Sequence, residues 1–402
     1  MKINKACILI INGGSSTIKF ALYAADKSLD RLFHGKIDRI GSKVSTLNYI
    51  LEGNTQKYTL PIKAFDNKSA SISLIDWLEK QVDFSSVKAV AHRIVHGMHH
   101  TEPEYITHEL LDELRLIISY DPDHLPNEIE LIETFRQRYQ TLQQVACFDT
   151  AFHTTMPRVA KLLPIPRRFD KKGIQRYGFH GISYSYLMEE LTRIEGSKAT
   201  HSRVILAHLG NGASMTAVSE GKSIDTSMGF TPAGGLPMSS RTGDLDPGVA
   251  WYMIKSDNLS PKQFNHLINH DSGLLGVSEI SSDMHDLLEQ ETTDYRAAEA
   301  VALFCYQAKK WVGSFVAALG GLDILVFAGG IGENSPQIRS RICKGLQCFG
   351  IELSEKLNNA NAPVISTDNS RVKIRVIKTD EEWMMAKTVR EMLNKSENIK
   401  SK

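Results

Sequence analysis

Three glycine-rich turns are the clearest candidates for binding phosphate. Each follows an apolar strand and combines glycine with serine, threonine or asparagine: residues 12–17 (NGGSST), 208–214 (HLGNGAS) and 329–335 (GGIGENS). Glycine lets backbone N–H groups approach phosphate oxygens, and the polar side chains add donors. One such turn alone is more often an ordinary hairpin or strand-to-helix turn. Three of them at strand ends favour a phosphate ligand, and Lys19 can add a positive charge beside the first.

Two arginines and two histidines occupy positions suited to binding anions. Arg93 ends a predicted strand, and Arg241 lies in a polar loop of small residues. Guanidinium groups match planar carboxylates and tetrahedral phosphates. His124 and His180 each precede a predicted helix, whose N-terminus favours anions. Taken singly, such arginines are more often ion-paired surface groups, and such histidines equally often only fill turns.

Carboxylates at two element ends can bind a metal ion. Asp149 follows a predicted strand and Glu381 opens the last predicted helix, and their hard oxygen atoms suit Mg²⁺. The helix dipole alone would explain Glu381, whereas Asp149 is harder to explain without a ligand. The histidines at 96, 99 and 100 resemble a metal cluster, but neighbouring side chains are expected to diverge and no carboxylate pairs with them. The sequence therefore argues against a metal there.

Composition excludes several classes of protein. The 402 residues predict two domains, and 47 basic against 46 acidic side chains give a net charge of +1, which argues against a nucleic-acid or membrane-surface partner. Five scattered cysteines without CxxC spacing fit a reducing compartment, so the chain is predicted to be a cytoplasmic globular protein. Only Asp323 is charged between residues 310 and 333, and we interpret this stretch as a buried helix and strand rather than a membrane span.

The positioning elements alternate between strands and helices. Neither GxGxxG nor GxxxxGK[ST] occurs, so the simple dinucleotide and P-loop folds are not indicated. Residues 8–20 and 204–218 both read as strand, glycine turn and strand, which suggests two related α/β domains with a site in the cleft between them. Strands are predicted at 6–11, 18–23, 87–92, 144–148, 204–208, 215–218, 324–328 and 372–376, and helices at 73–81, 126–139, 183–194 (N-cap Ser183), 297–319 and 379–393 (capping box Thr379 and Glu382), with a solvated tail at 394–402.

These motifs, taken in order, resemble the acetate kinase family, in the superfamily of sugar kinases, heat-shock cognate 70 and actin. The matching segments are residues 12–19 (NGGSSTIK), 92–97 (HRIVHG), 148–153 (FDTAFH), 176–181 (RYGFHG), 208–214 (HLGNGAS), 225–232 (DTSMGFTP), 329–335 (GGIGENS) and 379–382 (TDEE). The resemblance runs through nearly the whole chain.

The resemblance implies an α/β fold of two related actin-like (ribonuclease H-like) ATPase domains with an interdomain active-site cleft. The N-terminal domain would comprise residues 1–149 and 381–402, and the C-terminal domain, residues 150–380, would bind nucleotide and form a homodimer. The implied reaction is ATP + acetate ⇌ ADP + acetyl phosphate, with Mg²⁺ as cofactor and Mn²⁺ as an alternative to it. Because acetate is already deprotonated at pH 7, catalysis needs alignment and charge stabilisation rather than a general base.

The resemblance also assigns roles to individual residues. Arg93, Asp149, His180 and Arg241 would be catalytic, with His124 and His208 as supporting donors. Arg93, Val95, Phe179 and Pro232 would bind the substrate. Nucleotide and phosphate contacts would come from Asn12, Ser15, Thr17, Lys19, His208, Gly210, Asn211, Gly212, Asp283, Met284, His285, Gly330, Ile331 and Asn334, and the metal ion from Asn12, Asp149 and Glu381.

Four departures from the family pattern leave alternatives open. Asp123 stands where an apolar pocket residue is usual, Gly234 where an acid is usual, His285 where an arginine is frequent and Tyr184 where a histidine is frequent. Branched Val95 favours acetate, but a propionate or butyrate kinase with the same mechanism remains open, since one methylene is worth only about 1–3 kcal/mol. A nucleotide-driven conformational protein and a sugar kinase are the more distant alternatives.

Overall fold

Strands and helices follow one another in runs along the chain, with a run of strands at its start and a run of helices in its second half. The computed structural model describes residues 2–14, 17–42, 44–53 and 56–400, the last four without their side chains. The strands and helices are β1 (Cys7–Gly13), β2 (Thr17–Ala24), β3 (Arg31–Asp38), β4 (Ser45–Leu51), β5 (Lys57–Ile62), α1 (Asn67–Gln81), β6 (Val87–Ile94), β7 (Glu104–Tyr105), α2 (His108–Leu116), α3 (Leu125–Arg138), β8 (Gln143–Phe148), α4 (Arg158–Lys161), α5 (Arg167–Asp170), α6 (Gly181–Glu195), β9 (Val204–Leu209), β10 (Ala213–Ser219), β11 (Lys222–Thr226), α7 (Pro247–Ser256), α8 (Pro261–His270), α9 (Gly273–Ser278), α10 (Met284–Gln290), α11 (Tyr295–Leu319), β12 (Ile324–Ala328), α12 (Gly329–Asn334), α13 (Pro336–Cys343), α14 (Glu355–Asn359), β13 (Lys373–Val376) and α15 (Glu381–Lys400).

The chain divides into two compact units. Unit 1 consists of Met1–Ala151 and Asp380–Lys402, and unit 2 consists of Phe152–Thr379. Unit 2 is therefore inserted in the chain between β8 and α15. Each unit contains one mixed sheet among its described residues.

The sheet of unit 1 has the strand order β5-β4-β3-β2-β1-β6-β8-β7 among the described residues. The central strands β1, β6 and β8 are parallel, and the others pair antiparallel. Strands β1 and β6 are buried along nearly their whole length, as expected for central parallel strands. Because the carboxyl ends of β1, β6 and β8 meet at one edge, the sheet places Asn12, Arg93 and Asp149 at that edge.

The sheet of unit 2 has the order β11-β10-β9-β12-β13. Strands β9, β12 and β13 are parallel, and β9 and β10 form an antiparallel hairpin. The carboxyl ends of β9 and β12 lie side by side, with Ala328 opposite His208. The second and third glycine turns therefore emerge from the same edge of this sheet.

The predicted internal repeat is present in both units. Strands β1 and β2 pair antiparallel around the first glycine turn, and β9 and β10 pair antiparallel around the second. In each unit, the first strand of this hairpin also pairs with a parallel strand, β6 or β12. The predicted α/β fold class with two related domains is confirmed, and the structure adds that the sheet of each unit is mixed.

The predicted elements lie within two residues of the observed ones, with two exceptions. Helix α1 begins six residues earlier than predicted, because Asp66 and Ser69 form a capping box at its start. Helix α15 continues to Lys400, beyond the end predicted at residue 393; Asn394 and Lys395, in the segment predicted to be a solvated tail, are exposed on this helix.

Two predicted helix caps were also wrong. The capping box of Thr379 with Glu382 does not form: the Thr379 hydroxyl contacts Ser183, while Asp380 accepts a hydrogen bond from the backbone N–H of Trp383. Ser183 is not the N-cap of α6. That position belongs to His180, whose backbone adopts the left-handed conformation, with φ of 60°.

The apolar stretch around residues 308–328 forms the buried helix and strand that the sequence predicts. It contributes the second half of α11 and all of β12, and Gly320 ends the helix in a left-handed conformation. No helix in the described part of the chain is both long and apolar enough to cross a membrane. All five cysteines are free thiols, and only Cys348 is exposed.

Candidate active site

An ion pair between Arg93 and Asp149 lies at the carboxyl ends of the parallel strands of unit 1. Arg93 is next to last in β6, and Asp149 directly follows β8. Nη2 of Arg93 donates to Oδ2 of Asp149 at 2.7 Å; the Asp149 side chain is fully buried and that of Arg93 is 16% exposed. Burial alone would lower the pKa of Arg93, but the neighbouring carboxylates, above all Asp149, outweigh it and raise that pKa. Arg93 is therefore a permanent positive charge at this edge.

Glu381 brings a second carboxylate to the same place. It begins α15, which packs against β1 and β6. Burial raises the pKa of Glu381, the charge of Asp149 raises it further, and the charges of Arg93 and Lys19 oppose this rise. A site that holds two carboxylates close together in partly buried surroundings is stabilised by an added cation.

Glu128 is a buried carboxyl group of this cluster that the sequence reasoning missed. It lies on α3, is 2% exposed, and its two oxygens accept the backbone N–H of Val95 at 3.1 and 3.2 Å. Burial raises the pKa of Glu128 well above its usual value, Arg93 counteracts this, and Asp121 and Asp149 add to it. A signal was available in the sequence, because Glu128 falls on the apolar stripe of α3 with Leu125 and other buried residues.

His124 is held by a carboxylate at the start of α3. It is the N-cap residue of that helix, and its Nδ1 lies 2.8 Å from Oδ1 of Asp121, which is buried. Because a carboxylate can only accept, Nδ1 of His124 carries the hydrogen, and Nε2 is the nitrogen left for a ligand. The backbone N–H of Glu128 bonds to the carbonyl of His124, so both side chains come from the first turn of the same helix.

His180 and His208 stack on each other in unit 2. Their ring centroids are 4.3 Å apart with an interplanar angle of 24°. Nδ1 of His180 lies 2.8 Å from the Ser214 hydroxyl, and Nδ1 of His208 lies 2.8 Å from the Ser183 hydroxyl. With each Nδ1 facing a hydroxyl, the structure fixes the orientation of both rings. The two predicted histidines therefore form one group.

Arg241 and His180 both lie close to Gly212 in the second glycine turn. A Cβ at Gly212 would come within 3.1 Å of Nε2 of His180 and 3.8 Å of Nη1 of Arg241, so only glycine fits there without displacing a neighbour. Nη1 of Arg241 also donates to the carbonyl of Pro232 at 3.1 Å. The structure thus brings together Arg241, His180, Gly212 and Pro232, which the sequence assigned to catalysis, phosphate binding and substrate binding.

The third glycine turn lies against the second. Gly329 has a φ of 76°, and a Cβ there would meet the backbone of Leu209 at 2.7 Å. A Cβ at Gly210 would lie 3.6 Å from the backbone nitrogen of Gly330. Glu333 braces the turn, because its Oε1 accepts from the N–H groups of Gly329 and Thr379 at 2.9 and 3.1 Å. Backbone from two turns is therefore gathered at one edge of the sheet.

The remaining predicted phosphate contacts lie at the two hairpins. Asn12 and Lys19 face each other across β1 and β2, and Thr17 begins β2. Asn211 is exposed, and its carbonyl accepts from Ser239. Ser15 lies outside the described residues.

The residues predicted to hold adenosine occupy two elements of unit 2. Asp283 is the N-cap of α10 and accepts the N–H of His285 at 2.8 Å, while Met284 between them is buried. Ile331 and Asn334 belong to α12 with Gly330. Phe179, predicted to line the substrate pocket, is also buried, just before His180.

Comparison with known proteins identifies the family of the chain. The model of the acetokinase family matches residues 7–387, which is nearly the whole sequence. The chain belongs to the acetokinase family.

Its relatives in the acetokinase family carry two substrate names. An acetate kinase of Methylocella silvestris is 39% identical over 95% of this chain and 96% of that protein. A propionate kinase of Citrobacter rodentium is 38% identical over 95% of this chain and 96% of that protein. The crystal structure of a propionate kinase from Francisella tularensis superposes with a TM-score of 0.89 at 35% identity, covering 95% of this chain and 98% of that one. The chain is thus a member of a family of short-chain carboxylate kinases.

The four residues that depart from the usual acetokinase pattern have the following surroundings in the structure. Asp244 lies near Gly234: its Oδ1 would be 3.7 Å from a Cβ at that glycine. The hydroxyl of Tyr184 contacts the Ser214 hydroxyl that also meets His180. Asp123 is half-buried, and the His285 ring is 78% exposed, 3.6 Å from Glu289.

We expect Glu128→Gln to change how stability depends on pH. The raised pKa means that folded protein retains a proton that the unfolded chain releases above about pH 4.5. The bound proton stabilises folded wild-type protein at low pH. This stabilisation is lost as the pH rises through the pKa that Glu128 has in the folded state. Glutamine cannot ionise but can still accept the N–H of Val95. The melting temperature of the variant should therefore match wild type near pH 4 and exceed it increasingly toward pH 8.

Thermal unfolding of both proteins between pH 4 and pH 8 measures this difference. Glu130→Gln, on the same helix at a partly exposed position, is the control and should follow wild type throughout. A difference between Glu128→Gln and wild type that stays constant over this range would show that Glu128 has the same pKa in both states.

Proposed function

We propose that the protein is an acetate kinase that transfers the γ-phosphoryl group of ATP to acetate. A carboxylate oxygen of acetate attacks the γ-phosphorus, the bond from that phosphorus to the β,γ-bridging oxygen breaks, and ADP leaves. No proton is transferred, because acetate is already ionised at neutral pH. The observation that carries the proposal is the state of Asp149: it is buried and bound to Arg93, as a charge-positioning group would be, rather than free to act as a base.

Unit 1 supplies groups that bind and orient. Arg93 is held in place by Asp149 and can present its remaining donors to the carboxylate, and its buried Nε has no protein partner among the described residues. Nε2 of His124 can contact the phosphoryl group, since Asp121 fixes the other ring nitrogen. Val95, two residues after Arg93, is buried and donates its backbone N–H to Glu128, so its side chain is held in place as a wall of the proposed acyl pocket.

Unit 2 supplies groups that stabilise charge on the transferred phosphoryl group. Arg241 and His180 flank Gly212, and His208 stacks on His180. Donors that are already oriented need little rearrangement when charge develops, which is how such groups lower the barrier. The glycine turns at Gly210 and Gly330 offer backbone N–H groups for the phosphates of the nucleotide, and Asp283, Met284, His285, Ile331 and Asn334 are proposed to hold its adenosine.

Asp149, Glu381 and Asn12 are the residues proposed to hold Mg²⁺ in unit 1. The donor set fits the ion, since it comprises two carboxylates and one amide oxygen. The pKa of Glu381 is raised by burial and, to a smaller degree, by the charge of Asp149, and a bound cation would oppose both effects. Bound Mg²⁺ neutralises phosphate charge during transfer. Mn²⁺ has similar ligand preferences and is expected to substitute.

An acyl-phosphate assay tests the proposal directly. Hydroxylamine traps acetyl, propionyl and butyryl phosphate, so ATP with each acid, with and without Mg²⁺, gives the substrate order and the metal requirement. We expect acetate to give the highest kcat/KM and omission of metal to abolish turnover. ATP hydrolysis that is unaffected by any of the acids would support a nucleotide-driven conformational protein, and phosphorylation of glucose would support a sugar kinase.

Propionate is the second candidate substrate, because relatives with similar identity carry that name. We expect Val95→Ala to raise the ratio of kcat/KM for propionate to that for acetate roughly tenfold, since one methylene is worth about 1–3 kcal/mol in an apolar pocket. Steady-state kinetics with both acids measure the ratio. Val90→Ala, at a buried position of β6, the strand that ends just before Val95, is the matched control and should leave the ratio unchanged. An unchanged ratio in Val95→Ala would remove Val95 from the pocket.

The assembly is proposed to be a homodimer formed through unit 2. Large apolar side chains of its helices are exposed: Trp251 and Tyr252 on α7, and Tyr295 and Tyr306 on α11, are each at least 60% exposed. Clusters of exposed aromatic residues are typical of protein interfaces.

A further inference from the structure

We propose that His99, His100 and Glu113 form a binding site for a zinc-type divalent ion in unit 1, separate from the residues proposed to hold Mg²⁺. These residues have no part in the proposed function. His99 and His100 lie in the loop between β6 and β7, and Glu113 lies on α2. The inference depends only on this cluster of three residues, so its test is independent of the test of the kinase assignment.

The cluster contradicts the sequence-based expectation that neighbouring histidines diverge and find no carboxylate. The rings of His99 and His100 stack with their centroids 4.4 Å apart. Oε2 of Glu113 lies 3.1 Å from Nε2 of His100 and 3.6 Å from Nε2 of His99. Ligand atoms of all three residues lie within 4.8 Å of one another. Around a tetrahedral ion with bonds of about 2.0–2.2 Å, ligand atoms are about 3.3–3.6 Å apart, so the two contacts of Glu113 already fall near this spacing.

The two contacts of His100 point to a cation. Its Nδ1 lies 2.8 Å from Oε1 of Glu104, while its Nε2 faces Glu113. A neutral imidazole has one N–H and can donate to only one carboxylate. If Nδ1 donates to Glu104, the lone pair of Nε2 and the oxygen of Glu113 face each other, and a cation between them removes the repulsion. A carboxylate that orients a ligating histidine through its other nitrogen is a recurrent feature of zinc sites.

The ligands are held by well-packed elements. His100 is only 11% exposed at its side chain, and its ring stacks on Phe148 at 4.9 Å and 13°. The backbone N–H of His100 donates to the carbonyl of Gly97, where a Cβ would collide with Phe148 at 2.8 Å. Glu113 follows the capped first turn of α2, in which Thr107 accepts from Leu110. His100 is therefore positioned before any ion binds, whereas the side chains of His99 and Glu113 are 73% and 50% exposed and complete the site on binding.

The ligand set selects the class of ion. Two imidazoles and a carboxylate suit Zn²⁺, and the stronger-binding Cu²⁺ and Ni²⁺, whereas Mg²⁺ prefers oxygen ligands alone. With neutral histidines, Glu104 and Glu113 leave the cluster with two negative charges, which a divalent ion balances. Because Phe148 directly precedes Asp149, an ion here would also stiffen the segment that leads into the proposed active site.

Isothermal titration of the untagged full chain with ZnCl₂, without nucleotide, tests the site. We expect one Zn²⁺ per chain in wild type, retained in the presence of excess Mg²⁺. His99→Ala and Glu113→Gln should each weaken the affinity at least tenfold, and Glu104→Gln about 10- to 100-fold through the lost partner of His100. Co²⁺ should give the visible absorption of a tetrahedral ion in wild type but not in His99→Ala.

His266→Ala is the matched control. His266 is also an exposed histidine beside a second histidine and a carboxylate, with its ring 4.8 Å from that of His270 and 3.6 Å from Asp271, but it lies on α8 of unit 2. Its substitution should leave the Zn²⁺ affinity unchanged. The proposal is overturned if wild type binds no Zn²⁺, or if His99→Ala and Glu113→Gln bind it as wild type does.

Discussion

Arg241→Ala is expected to lower kcat for acetyl phosphate formation on the order of 10³-fold or more, the size of effect that an arginine has when it stabilises a phosphoryl-transfer transition state. Within unit 2, the Arg241 guanidinium lies beside Gly212, near His180. Its backbone is held independently of the side chain, because its carbonyl accepts from Met238. The variant should therefore fold normally, with a circular dichroism spectrum and melting temperature close to those of wild type.

Two further variants define the role of Arg241. Arg241→Lys keeps the charge but not the planar fork, so it should recover only a small part of the activity. Arg203→Ala removes a partly exposed arginine of the same unit that pairs with Asp323, and it should retain wild-type kcat. An Arg241→Ala protein with near-normal kcat would refute the assignment.

Arg93→Ala is expected to abolish activity and to destabilise the protein as well. It removes the positive charge that pairs with the buried carboxylate of Asp149, beside Glu128 and Glu381. Breaking a buried ion pair from one side typically costs about 3–5 kcal/mol. The loss should be smaller at pH 4–5 than at pH 8, since carboxyl groups with raised pKa values are protonated there and no longer need a counter-charge.

Urea unfolding at both pH values measures this effect. Arg138→Ala, in the same unit, is the control: its guanidinium bonds to Glu79 and Asp76 but is 49% exposed, and an exposed pair contributes about 0–1 kcal/mol. Equal losses in the two variants, or a loss in Arg93→Ala that does not vary with pH, would contradict the buried charge network around Arg93.

The strand ends were predictable because their signal is local. The apolar runs before Asn12 and Asp149 define buried strands, and the glycines after them define turns. The parallel order of β1, β6 and β8 then brings Asn12, Arg93 and Asp149 to one edge, although no segment alone indicates it. The location of Arg93 could thus be predicted, but its bond to Asp149 could not.

Features that depend on distant residues were the ones missed. Thr379 and Ser183 each have the side chain of a helix cap, but they bond to each other across 196 positions of sequence. Glu128 looks like a helix-surface acid until Val95 is seen to donate to it. The histidines at 99 and 100 find Glu113 only because α2 folds back beside their loop. Sequence periodicity contains no information on which of many polar partners a tertiary contact selects.

The insertion of unit 2 between β8 and α15 has a consequence for biosynthesis. Glu381 belongs to α15, yet that helix packs against β1 and β6, which leave the ribosome well before it. All of unit 2 emerges before α15 and can reach its final topology during translation. Until α15 emerges, the face of β1 and β6 that this helix covers in unit 1 stays uncovered. A nascent chain that stalls before codon 381 therefore lacks Glu381, a carboxylate proposed to hold magnesium.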